Sequence, residues 1–136
     1  MAFVDVADAV YSILSNNAPV VALVSTKIYP TIAAQETLAP YVVVDYAVNN
    51  EPLDTKTRPS SLDRIRIQVD SYGRTRKQAM TVHLAVRTAL DGYTIGTTVA
   101  GVLLDGIKFE TENDAFDEEI DIFRKSADYI VRVKYS

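Results

Sequence analysis

The sequence contains no cysteine and a single histidine among its 136 residues. Without cysteine there is no disulfide scaffold, no thiolate zinc site and no cysteine nucleophile. One histidine cannot furnish a metal site that needs two imidazoles. No apolar run approaches the roughly 18 residues of a membrane-spanning helix, so no membrane role is expected. Residues 1–24 are apolar enough to resemble a signal peptide, yet they lack a basic leading region and carry Asp5 and Asp8. Positive charge is also in deficit, with 14 Lys and Arg against 18 Asp and Glu and a formal charge of −4. A protein that coats nucleic acid non-specifically needs the opposite balance. These absences together describe a chain that folds in a reducing compartment.

What remains is the composition of a globular domain, with 48% apolar and 24% charged residues. The length suits one domain, residues 1–136, large enough to bury a core without staples. Val6, Ala9, Val10, Ile13 and Leu14 recur at three- and four-residue spacing, which predicts a helix over Asp5 to Leu14. Asp5 suits its N-cap and Asn16-Asn17 its stop. Asn17 can then cap a short second helix, Ala18 to Ser25, with Pro19 near its start. Lys27 to Pro30 reads as a brief strand, and Thr31 to Pro40 as irregular chain.

Tyr41 to Val48 is valine-rich and bounded by turn residues, which predicts a strand. Residues 49–61 hold two prolines and one large apolar side chain, Leu53, and read as a flexible loop. Leu62 to Tyr72 alternates, with Ile65, Ile67 and Val69 on one side and Arg64, Arg66, Gln68 and Asp70 on the other. That period belongs to a half-buried antiparallel strand. Gly73 ends it, and Thr75 with Gln78 forms a capping box for a helix from Arg76 to Leu90. Asp91-Gly92 supplies the stop. Val102 to Glu110 and Asp128 to Tyr135 complete the strands. The sum is an α+β domain, an antiparallel sheet of about four strands with helices on one face.

His83 is the one conspicuous general base. It shares a helical stripe with Ala79 and Val86, so a partly buried structural histidine is preferred over a catalytic one. There is no nucleophile elbow and no glycine-rich phosphate loop, and neither an enzyme nor a cofactor is expected. The acidic run from Glu110 to Asp121 raises the question of calcium. Its spacing does not fit an EF-hand loop, and a solvated connection between strands is the preferred reading.

Charge is distributed unevenly along the chain. Lys56 to Arg87 carries eight basic and two acidic residues, whereas Asp105 to Asp121 carries eight acidic residues and Lys108. These segments either neutralise one another within a subunit or supply opposite surfaces for head-to-tail contacts between subunits. On the second reading the candidate interface residues are Lys56, Arg58, Arg64 and Arg66 on one side, with Asp114, Asp117, Glu118 and Glu119 on the other. A third option has Arg64 and Arg66 facing duplex DNA in a channel.

Four stretches in order carry a family resemblance. They are the N-terminal helix with Ala22-Leu23-Val24 and Lys27-Ile28-Tyr29-Pro30, then Ala39-Pro40-Tyr41-Val42-Val43-Val44. Ile65 to Tyr72 follows, running through Gly73-Arg74-Thr75 into a helix. Last come Phe116-Asp117, Phe123-Arg124-Lys125 and Asp128-Tyr129-Ile130-Val131. Together they resemble the tail completion proteins of long-tailed bacteriophages, also called tail terminator or head-to-tail joining proteins. The resemblance implies an α+β virion protein without catalytic residues, assembled in the host bacterial cytoplasm. It implies a homo-oligomeric ring, typically a hexamer, that ends tail-tube polymerisation and meets a head-connector or stopper protein. Genome DNA would pass through the lumen without sequence-specific binding. The rival expectations are another head-completion or minor tail component, a non-viral ligand-binding α+β domain, and an enzyme built around His83.

Overall fold

The computed structural model describes residues 6–30, 39–53, 62–93, 97–99, 102–118 and 121–134. Helix α1 spans Val6–Ser15 and α2 spans Ala18–Val24. The strands β1 (Ile28–Pro30), β2 (Tyr41–Leu53) and β3 (Leu62–Gly73) precede the long helix α3 (Arg76–Leu90). After it come β4 (Thr97–Val99), β5 (Val102–Asp117) and β6 (Ile122–Lys134).

Local chemistry sets the helix ends. The Asn17 side chain accepts a hydrogen bond from the Val20 amide at 3.2 Å, satisfying one of the orphan donors that open α2. At α3, Thr75 Oγ1 accepts from the Gln78 amide and Gln78 Oε1 accepts from the Arg74 amide. Thr75 caps the helix as expected, whereas Gln78 reaches one residue further back than a capping box, to the Arg74 amide rather than that of Thr75. Asp91 closes the helix, and Gly92 turns the chain at φ +76°, a left-handed value that glycine adopts without a Cβ clash. Asp5 and Tyr135 lie outside the described residues.

The sheet runs β1-β2-β3-β6-β5-β4, with β1 parallel to β2 and every other pair antiparallel. The α+β class and the single helical face agree with expectation, whereas among the described residues the sheet has six strands rather than about four and is mixed. Its seam is the ladder of β3 with β6, continuous from Leu62 opposite Lys134 to Gly73 opposite Phe123. Ile65, Ile67 and Val69 on β3 join Ala127, Tyr129 and Val131 on β6, and Val42 and Val44 on β2, in one core. Val10 and Leu14 from α1, Val20 and Val24 from α2, and Val82, Val86 and Leu90 from α3 close over it. Tyr129 is fully buried at its centre, and its hydroxyl has no hydrogen-bond partner. Burial therefore pushes that phenol far up from its ordinary range.

Two expected connections are strand instead. Residues 49–53 do not begin a loop, because they pair with Leu62 to Arg66 as the distal half of a hairpin. The prolines and asparagines misled because β1 pairs only with Val42 to Val44. Beyond that point β2 is an edge strand among the described residues, where Pro52 is tolerated. The remaining residues of that expected loop, 54–61, lie outside the described residues. Glu110 to Asp121 is likewise not a solvated connection: β5 continues to Asp117, and β6 begins at Ile122 rather than Asp128. Pairing to β6 supplies the order that an acidic segment cannot draw from its own apolar side chains.

Gly73 sits where the β3–β6 seam passes beneath the start of α3. A Cβ there would lie 2.4 Å from the Ala79 backbone nitrogen, so the strand and the helix can approach this closely only over glycine. Gly73→Ala should destabilise the fold by about 1–3 kcal/mol, read as a lower midpoint of thermal or denaturant unfolding.

Candidate functional site

A chain of charged side chains crosses from α3 to the distal half of the β5–β6 hairpin. A bulge sets it up: the register of β5 against β6 shifts between Phe109 and Thr111, and one extra residue reverses the alternation. Ile107 and Phe109 pack toward the helices before the bulge. After it, Glu112 and Asp114 take that side, opposite Ala127 and Lys125.

His83 lies beneath this strand, 1% exposed, with Nε2 2.5 Å from Glu112 Oε2. Glu112 Oε1 lies 3.4 Å from the Lys125 ammonium, which is 3.2 Å from Asp114. Asp114 in turn stands 3.8 Å from Arg76 at the start of α3. Lys125 is 5% exposed, and these two carboxylates offset the cost of taking its side chain out of water. Beside them, the Arg87 guanidinium lies 3.9 Å over the Phe109 ring, a cation–π contact, and Phe109 packs edge-on against Tyr129.

On the opposite face of the sheet, Arg66 bonds Asp128 at 3.2 Å and lies 3.8 Å from Glu110. Further along that face, Tyr41 stacks on Tyr72 at 4.5 Å, and Tyr41, Ala39 and Val43 form a small second cluster. At the hairpin tip, Phe116 meets Phe123 edge-on. A cleft of about 280 Å³ opens there between Arg76, Ala79, Asp114 and Arg124.

The sequence-derived candidates fare differently. Lys56, Arg58 and Glu119 lie outside the described residues, as does the Asp117 side chain, although its backbone ends β5. Glu118 is exposed in the turn of the hairpin. Arg66 and Asp114 both make ion pairs within the subunit. The basic and acidic segments thus meet partly inside one chain, through Arg66 with Glu110 and Arg76 with Asp114. Sequence reasoning missed Lys125 and the part of β6 it stands on. Its signal is a lone lysine in register with Tyr129 and Val131, on the side of a strand that should be apolar.

Chemically, this cluster stabilises and orients; it offers no nucleophile paired with a base. Among the described residues no group of three or more His, Cys, Asp and Glu side chains could hold a metal. Lys125 occupies the centre that the carboxylates would otherwise offer a cation. Among the described residues no helix is long and apolar enough to cross a membrane.

Residues 8–134 match the family of the tail completion protein gp17. The chain belongs to that family. It is thereby a structural phage tail protein, from a family of virion components rather than enzymes. A chain from the virion of a native gene transfer agent particle shares the fold, with a TM-score of 0.76 and 23% identity over 96% of each chain. No curated protein matches the sequence significantly. In this tail completion protein, His83 sits between α3 and β5, where the structural reading of its helical stripe puts it.

Burial is the largest influence on His83 and lowers its pKa from the ordinary 6.5; Lys125 and Arg87 lower it further, and Glu112 opposes them. Protonation then favours the unfolded chain. The stability from the neutral ring is present in full above about pH 6.5 and is lost as pH falls below it. Denaturant midpoints between pH 7.5 and 5.5 should therefore fall for the native chain and change less for His83→Gln.

Proposed function

We propose that this tail completion protein assembles as a ring, typically a hexamer, at the head-proximal end of the tail tube. There it ends tube polymerisation and joins the tail to the head's connector or stopper protein, and genome DNA passes through its lumen. The observation that carries this reading is the family match over residues 8–134, nearly the whole chain, so the family's task falls to a single domain. The fold shared with a chain of a gene transfer agent virion supports it, as does a charge distribution suited to head-to-tail contacts. Assembly takes place in the host bacterial cytoplasm before the particle is complete.

Particles made without this protein should carry overlong tails or leave heads and tails unjoined when viewed by electron microscopy. Normal virions would overturn the reading. The acidic side of the subunit contact comprises Asp114, Asp117, Glu118 and Glu119, and the basic side Lys56, Arg58, Arg64 and Arg66. Reversing Asp117 and Glu118 to Lys should weaken the oligomer and blunt its dependence on salt. Native mass spectrometry at two ionic strengths measures both effects, and an unchanged ring mass would reject the assignment.

A further inference from the structure

β5 presents a long open edge. On its outer side β4 covers only Val102 to Leu104. Next, the Gly92 amide donates to the Ile107 carbonyl, and the Phe109 amide donates to Asp91. Beyond Phe109, no strand among the described residues pairs with that side, and Glu110 to Asp114 are all exposed. An unpaired edge of this length is a template for another strand. Its charges restrict which strand can dock. Glu112 and Asp114 stand two residues apart on one face and remain 36% and 48% exposed even with Lys125 between them. A second β5 edge would set carboxylate against carboxylate, and the outer edge of β2 brings Asp45, Glu51 and Pro52.

One stretch of the chain has the complementary pattern. Thr55-Lys56-Thr57-Arg58 places two cations two residues apart between strand-favouring threonines. We infer that residues 55–58 of a neighbouring copy add as a strand to the open edge of β5, setting Lys56 and Arg58 against Glu112 and Asp114. The inference rests on the ring reading above and names its contact.

The subunit's own residues 55–58 cannot make this pairing. They are tethered at Leu53 and Leu62, at one end of the β3–β6 seam. Glu112 pairs with Ala127, which pairs with Val69, seven residues along β3 from Leu62. That is roughly 23 Å along the strands, before crossing two strand spacings of about 4.8 Å each. Arg58 is four residues from Leu62 and reaches at most about 14 Å. The contact therefore joins opposite ends of two subunits. Such heterologous contacts close into a ring or run on as a filament.

The cysteine-free chain provides a clean background for the test. Cross-strand neighbours stand about 4.5–5.5 Å apart at Cα, within the reach of a disulfide. Thr55→Cys or Thr57→Cys, each combined with Thr111→Cys or Asn113→Cys at exposed positions of β5, makes four double variants that cover the possible registers. After mild oxidation of assembled particles, at least one should yield a ladder of covalent multimers under denaturing conditions. Thr57→Cys with Thr81→Cys, on the outer side of α3, should stay monomeric. In the unmodified chain, alternate amides of residues 110–117 should exchange at least about tenfold more slowly in rings than in free subunits. Rings visible by electron microscopy, with only monomeric chains from all four variants or with unslowed amides, would overturn the edge contact and leave the ring standing. Particles that hold the protein without any ring would overturn both.

Discussion

Ile65, Ile67 and Val69 on β3 and Ala127, Tyr129 and Val131 on β6 point to one side of the sheet, and that side must leave water. The three helices satisfy this single requirement. Each contributes one apolar stripe to it, and each would be marginal as an isolated segment, since α1, α2 and α3 have 10, 7 and 15 residues. Among the described residues no helix covers the opposite face, which carries ion pairs and stacked tyrosines. Because the helices shelter the middle of the sheet, the distal part of β5 stays exposed from Glu110 to Asp114.

The charged network belongs to the same balance. Where β5 leaves the apolar core at its bulge, the helix-facing positions pass from Ile107 and Phe109 to Glu112 and Asp114. Packing gives way to electrostatics within a few residues. His83, Lys125 and Arg76 answer that change from α3 and β6, so the hairpin's distal half stays attached to the helix without an apolar interface. A net charge of −4 conceals this arrangement. Opposite charges on distant segments are brought together at some places, such as Arg66 with Glu110, and kept facing solvent at others, such as Glu118.

Elements with strong local signals were legible from the sequence. Helix α3 runs from Arg76 to Leu90 as Thr75, Gln78 and Asp91-Gly92 require, and the alternation of Ile65, Ile67 and Val69 marks β3 and its buried side. The distal halves of β2 and β5 were not legible, and the cause is physical. Asn49 to Leu53 and Glu110 to Asp117 have turn-like or acidic composition, and they are strands because a neighbouring strand pairs with them. Nothing in the local composition of either segment encodes that a neighbouring strand will pair with it. The bulge near Glu110 hid the site further, since it exchanges inward and outward positions halfway along one strand. Lys125 was passed over because an inward-facing lysine makes sense only once Glu112 and Asp114 are known to lie beside it.

The position of β6 has a consequence for how the protein is made. It is the last strand in sequence, yet it lies between β3 and β5 and joins the two halves of the sheet. Ile67 and Tyr129 are neighbours in the sheet although they stand 62 positions apart in the chain. On the ribosome, the first hairpin and its helices must wait for residues 122–134 to emerge before their central neighbour exists. The loop to be closed is long, and folding dominated by such distant pairings is slow. A chain stopped short of residue 122 would hold two unjoined sheet fragments, each with a bare inner edge. Synthesis through β6 is thus what commits this subunit to its fold.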